Sequence, residues 1–137
     1  MIEFGEKIAG KNYIERPGAY AVIIKDGLYA VVKNPKSFFL LGGGIEGGES
    51  PEEALHREVR EEIGMGIRID KKIGVAMQHI YVPEVDVYVS KEGHFYCATL
   101  LSNVSENSEA NHELHWLTKE EALEKIFHES QRWAIEQ

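Results

Sequence analysis

Glu58, Glu61 and Glu62 fall within five positions of one another in the stretch Gly43 to Met65, with Arg57 immediately before them and Glu49 upstream. Like charges crowded on one surface repel, so three carboxylates gathered there gain nothing for stability unless a cation is held among them. Carboxylate oxygens suit a hard divalent ion such as Mg²⁺, which takes one or two carboxylates together with oxygens of a substrate phosphate. A negative site that recruits such an ion can bind a small phosphate substrate through the metal. The stretch reads as a divalent-metal site.

The acids need a helix to gather them. Ser50 is a suitable N-cap, Pro51 fits the first helical position, Glu53 completes a capping box and Gly64 supplies the stop. These signals predict a helix over 51–63. At about 100° per residue, Leu55, Val59 and Ile63 form an apolar stripe, while Glu58, Glu61 and Glu62 share the adjoining face with Ala54. Arg57 can reach a glutamate and hold its orientation. An exposed acidic helix interspersed with Arg has the same composition, its i,i+4 pairs each adding only a few tenths of a kcal/mol, and the helix alone does not decide between the two. The glycines at 42, 43, 44, 47 and 48 let backbone approach a ligand closely.

Around this unit the pattern predicts strands at 19–25 and 28–33 joined by Asp26-Gly27, a strong hairpin signal, then a turn at 34–36 and a short strand at 38–41. Further strands follow at 67–76, interrupted at Lys71-Lys72, and at 79–89, broken at Pro83-Glu84. A turn at 90–93 leads into a strand at 94–101, a polar loop at 102–112 and a strand at 113–117. A second capping box, Thr118 to Glu121, opens a helix to about 128, and a last helical piece at 131–135 offers Trp133 as an anchor. Residues 1–17 have no clear period and read as an arm or edge strand. The order predicts mixed α/β or α+β, with helices packed on a mixed sheet.

With 137 residues, 43% of them hydrophobic, the chain is the size of one domain. No apolar run approaches bilayer length and the first residues lack the apolar centre of a signal peptide, so a soluble, cytoplasmic protein without membrane partners is expected. Cys97 is the only cysteine, which excludes an internal disulfide, and its apolar neighbours suggest a small buried thiol. A net charge of −8 argues against a stable nucleic-acid complex but not against a small anionic substrate held through a metal. Monomer and homodimer are both compatible with the sequence.

The central stretch resembles the Nudix box of the MutT-like hydrolase family, G-x5-E-x7-R-E-U-x-E-E-x-G-U with U a bulky aliphatic residue. Its defined positions are met at Gly43, Glu49, Arg57, Glu58, Val59, Glu61, Glu62, Gly64 and Met65. The flanking strands and terminal capped helix extend the resemblance over nearly the whole chain. One departure is Leu41, where many members place a proline before the paired glycines; proline would restrict the loop, so a looser loop is expected.

The resemblance implies a Nudix fold, an α/β/α sandwich with a mixed β-sheet, and Mg²⁺- or Mn²⁺-dependent hydrolysis of a nucleoside diphosphate linked to another group. Carried over by position, Glu58 and Glu62 resemble the principal metal ligands, Glu61 completes the acidic cluster, and a backbone carbonyl near Gly42 or Gly43 is a further ligand. Arg57 resembles the residue that orients a catalytic glutamate, and Glu49 a supporting member of the box. The proton acceptor is a box glutamate or one from a later loop, Glu113 first and Glu109 second. Tyr81 resembles a tyrosine of dinucleoside polyphosphate hydrolases, and Pro83 a proline of ADP-sugar hydrolases. Phe38, Phe39 and Tyr81 are candidates to stack on a base, and Lys33 and Arg16 to meet phosphates. The alternative is a catalytically silent Nudix-like domain that binds a nucleotide as a sensor.

Overall fold

Alternating apolar residues and an Asp-Gly pair build the centre of the sheet. Asp26 and Gly27 adopt φ of 54° and 77°, the left-handed pair that a two-residue hairpin needs. They join β3 (Gly18–Lys25) to β4 (Leu28–Lys33). The computed structural model describes residues 1–103 and 113–137. Before the hairpin come β1 (Ile2–Phe4) and β2 (Tyr13–Glu15); after it come β5 (Phe38–Phe39), β6 (Leu41–Gly44), α1 (Pro51–Ile63), β7 (Met65–Val82), β8 (Val87–Asn103), β9 (Glu113–Leu117), α2 (Lys119–Lys125) and α3 (Glu129–Ile135).

The sheet is mixed. β8 runs parallel to β3 and β2 and antiparallel to β7, β7 carries the parallel edge strand β1, and β4 pairs antiparallel with both β5 and β9. β6 lies antiparallel to the first half of β3, with Gly42 to Gly44 opposite Tyr20 to Gly18. Successive side chains of a strand face opposite ways, and β3 therefore serves two cores. Ala19, Ala21 and Ile23 meet Ala54, Leu55 and Val59 of α1. Val22 meets Phe95 of β8, Ala122 and Ile126 at the end of α2, and Ala134 and Ile135 of α3. The architecture is the expected α/β/α sandwich. Leu55 and Val59 are wholly buried, each contributing roughly 1.5–3 kcal/mol. None of the described helices is long and apolar enough to cross a membrane.

α1 has the predicted bounds, with both hydrogen bonds of its capping box formed and Gly64 left-handed at φ 69°. Several other expectations change. The turn at 90–93 is instead the middle of β8, and the strands read at 67–76 and 79–89 belong to one long hairpin turning at Pro83 to Asp86. Gly93 belongs there because a Cβ would stand 2.7 Å from the Phe95 ring. Lys71-Lys72 interrupts nothing: register shifts on either side bulge the strand, and pairing continues. The glycines at 42–44 form strand rather than turn, and Leu41 is paired with Ala21, so the chain there is held by a ladder and is not loosened for want of proline. α2 ends at Lys125, short of 128. Residues 1–17 carry the short strands β1 and β2, as the edge-strand reading expects, whereas Cys97 is half-buried rather than buried. The loop that contains Glu109 lies outside the described residues.

Ser50→Ala removes the Oγ that accepts from Glu53 N at 3.1 Å. It is expected to lower stability by about 1 kcal/mol with unchanged urea m-value, and urea unfolding checks it.

Candidate active site

Arg57 lies where α1 meets the glycine strand, and its fork reaches both sides. Nε donates to Glu49 at 2.7 Å, Nη2 to the other Glu49 oxygen at 3.0 Å and to the Gly44 carbonyl at 2.9 Å. Nη1 donates to Glu58 at 3.0 Å and to Glu61 at 3.1 Å. The guanidinium holds the Glu49 carboxyl below the usual range, helped by the Glu46 backbone N–H, and the carboxylates raise the arginine in turn, Glu49 most strongly. The loop before the helix is thereby fastened to the helix by one cation.

The remaining acids depend on absent side chains. Glu62, buried on α1, accepts from the Gly42 N–H at 2.9 Å. Gly42 itself must be glycine: its φ is 136°, and a Cβ would come within 2.1 Å of the Ala19 carbonyl. At Gly43 a Cβ would fall 2.5 Å from the Glu58 carboxyl. Residues 42–44 of β6 thus form a stretch bare of side chains, past which two carboxylates of α1 reach a cleft of about 310 Å³. The cleft is bounded by Tyr20, Phe39, Gly42 to Gly44, Glu58, Glu62, Lys91, His128 and Gln131. Burial pushes the Tyr20 phenol up to about 12, with the charges of Glu58 and then Glu62 adding to it, so both carboxylates bear on one spot. Two anionic oxygen ligands on a glycine-lined wall fit a hard divalent ion that fills its remaining positions with water and substrate.

Glu61 departs from the expected triple cluster. Its exposed side chain turns to Arg57, and among the described residues no three His, Cys, Asp or Glu side chains form a metal-holding group. The three acids share a helix face, but Glu58 and Glu62 line the cleft while Glu61 is drawn outward along Arg57. Of the other sequence candidates, Gly42, Gly43 and Phe39 line the cleft. Lys33, Glu113, Tyr81 and Arg16 are placed elsewhere. Lys33 is opposite Glu113 across β4 and β9, with its ammonium 5.6 Å from the Phe38 ring centre, and Glu113 is exposed. Tyr81 packs on Tyr88 with ring centres 4.7 Å apart, and with Pro83 it lines a neighbouring cleft of about 500 Å³ that shares His128 with the first. Arg16 is exposed at the end of β2 and its N–H is bound by the Ser90 carbonyl.

Lys91, His128, Tyr20 and Gln131 were not singled out from the sequence. Lys91 fell in a segment read as a turn, and the other three reach the cleft only through long-range packing. Lys91 Nζ stands 3.1 Å from His128 Nε2. Burial, then the charges of Lys91 and Arg132, push the His128 imidazole down to about 3, and burial also lowers the Lys91 amine.

Gly43→Ala is expected to displace the Glu58 carboxyl and weaken Mg²⁺ binding at least tenfold by calorimetry, with thermal stability close to wild type. His128 is neutral in the fold, so below its ordinary value near 6.5 the unfolded chain binds the extra proton. Its stabilisation is complete above pH 6.5 and is lost as pH falls toward 3. Between pH 6 and 5 the wild type is expected to lose stability faster than His128→Gln, by about 1 kcal/mol per pH unit, as read by urea unfolding at each pH.

The sequence profile of the NUDIX domain matches residues 15–137. A nucleoside triphosphatase, NudI, from Escherichia coli O139:H28 is 46% identical over 50 residues, covering 31% of this chain and 36% of that protein. The chain thus spans 36% of the length of that curated relative. A NUDIX hydrolase from Nitrosomonas europaea superposes with a TM-score of 0.74 at 20% identity, covering 90% of this chain and 87% of that one. A MutT protein from Methanosarcina mazei Go1 superposes with a TM-score of 0.68 at 19% identity, covering 90% and 92%. At these identities the two structures speak to the fold, while the profile match spans most of the chain: it belongs to the NUDIX domain family.

Proposed function

We propose that the chain is a divalent-metal-dependent pyrophosphohydrolase acting on a small nucleoside diphosphate derivative. The observation that carries the reading is the pair of α1 carboxylates, Glu58 and Glu62, brought to a common cleft beside the glycines 42–44 of β6. The named nucleoside triphosphatase among the relatives supports a nucleoside triphosphate as the first substrate to try.

Glu58 and Glu62 would hold Mg²⁺ or Mn²⁺, with a backbone carbonyl of Gly42 or Gly43 as a further ligand. Bound there, the ion supplies charge neutralisation on the diphosphate and a water of lowered pKa. Glu62 is locked by the Gly42 N–H, so its carboxylate is oriented before any ligand arrives. Glu58 is oriented by Arg57 on one side and by the close backbone of Gly43 on the other. Arg57 in turn is fixed by Glu49 and the Gly44 carbonyl, which makes both positioning residues. Water attacks phosphorus, a P–O bond forms as the bridging P–O bond breaks, and the proton passes to a carboxylate. Glu61, held on the same Arg57 nitrogen as Glu58, is the first candidate for that role, and Glu113 is the alternative from outside the box. Phe39 supplies an apolar wall for the rest of the substrate.

Purified protein with Mg²⁺ is to be offered normal and oxidised nucleoside triphosphates, dinucleoside polyphosphates, ADP-ribose and nucleotide sugars, with products identified by mass. Turnover of at least one is expected. Glu62→Gln keeps an oxygen for the Gly42 N–H but loses the charge, and it is expected to fold and to lower kcat roughly 100-fold or more. Full activity in folded Glu62→Gln overturns the assignment, and binding without turnover by the wild type would favour a nucleotide sensor. Glu61→Gln and Glu113→Gln, compared on the same substrate, decide the proton acceptor.

A further inference from the structure

One cationic side chain lines the carboxylate cleft among the described residues, that of Lys91, and hydrolysis as proposed above leaves it without a task. β8 puts it there. Gly93, two residues further on, is opposite Gly18 of β3, and Gly18 is opposite Gly44 at the end of β6. Lys91 therefore projects from the strand next but one to the glycine strand, with its stem half-buried.

Withdrawing an ammonium from water carries a desolvation penalty, normally offset by a carboxylate. No ion pair among the described residues includes Lys91. Its partner is the Nε2 of His128 at 3.1 Å. An ammonium has donors only, so Nε2 is the acceptor and the imidazole is neutral: His128 positions the charge and cancels none of it. The imidazole is itself fixed, its ring centre 5.0 Å from that of Phe127 and 5.6 Å from that of Phe39. Two acids, and one ammonium that makes no ion pair with a carboxylate among the described residues, share one cleft. That division suits a ligand carrying more than one phosphate: oxygens near the acids are reached through a cation, and those near Lys91 directly, by the ammonium's remaining donors.

We propose that Lys91, positioned by His128, anchors a phosphate of the substrate in this cleft, beside the phosphate that faces Glu58 and Glu62. The proposal rests on the diphosphate-hydrolase reading, and its test separates the two. Inorganic pyrophosphate is titrated by calorimetry, with Mg²⁺ present, into wild type, Lys91→Met and Lys91→Gln, and the same proteins are assayed on whichever nucleotide the wild type hydrolyses. Lys91→Met keeps the stem and removes a half-buried charge, so its melting temperature is expected to equal or exceed that of wild type; Lys91→Gln provides a second, polar replacement. The pyrophosphate Kd is expected to rise at least about tenfold in both variants, and KM to rise similarly with kcat within about threefold. Wild-type affinity in a folded Lys91 variant, or no pyrophosphate binding by wild type, overturns the anchor. If wild type hydrolyses nothing yet binds pyrophosphate through Lys91, the anchor stands and the hydrolase reading falls. If turnover is found and the variants keep the wild-type KM, the outcome is the reverse.

Discussion

The Arg57 guanidinium touches Glu49, Glu58 and Glu61 together, and it also holds the carbonyl of Gly44. Without it, the loop from Gly44 to Ser50 and the second turn of α1 would present like charges to each other across a short gap. A planar fork with five donors satisfies this geometry, whereas a lysine ammonium offers a single centre and cannot grip three acids and a carbonyl from fixed directions. Helix and glycine strand are therefore registered to one another by charge as much as by the buried Leu55 and Val59 beneath. Glu61 shares one Arg57 nitrogen with Glu58, and its carboxylate is held there at the rim while those of Glu58 and Glu62 line the cleft.

Glycine at 42 and 43 solves a problem of layers. α1 packs on one face of the sheet, yet the cleft is bounded by His128 and Gln131 beside the helices of the other face. A strand with ordinary side chains would stand between them. The bare backbone of residues 42–44 lets the acids pass its edge and supplies the Gly42 N–H as a lock for Glu62. Chemistry and packing ask for the same absence of side chains, one at Gly43 for Glu58 and one at Gly42 for the backbone of β3.

What could be read from the sequence was what is encoded locally. The bounds of α1 follow from Ser50, Pro51, Glu53 and Gly64, all acting within a turn of the helix end. Asp26-Gly27 likewise fixes its own hairpin. Ser90 to Gly93 misled because turn-forming composition was outweighed by pairing on both sides, with β7 and with β2 and β3, and because Gly93 answers to the Phe95 ring rather than to a turn. The same error hid Lys91. Helical spacing placed three acids on one face, but which of them an arginine would draw aside depends on a guanidinium whose other partners lie in the preceding loop. Tyr81, read as a substrate contact on family grounds, packs at a tilt on Tyr88 and donates its hydroxyl to Asp86 at 2.8 Å, and it lines the cleft next to the carboxylate one.

α3 is fastened by more than its apolar face. The Gln131 side chain accepts from the Leu40 N–H at 2.8 Å, and the Gln78 side chain accepts from the Ser130 N–H at 3.0 Å, both buried. Amide acceptors are directional, so the helix docks in one register where apolar contacts alone would let it slide. These two backbone protons can reach water only when α3 lifts away, and that motion carries off His128, one wall of the cleft. Amide hydrogen exchange at Leu40 and Ser130 therefore reports on opening of the cleft wall.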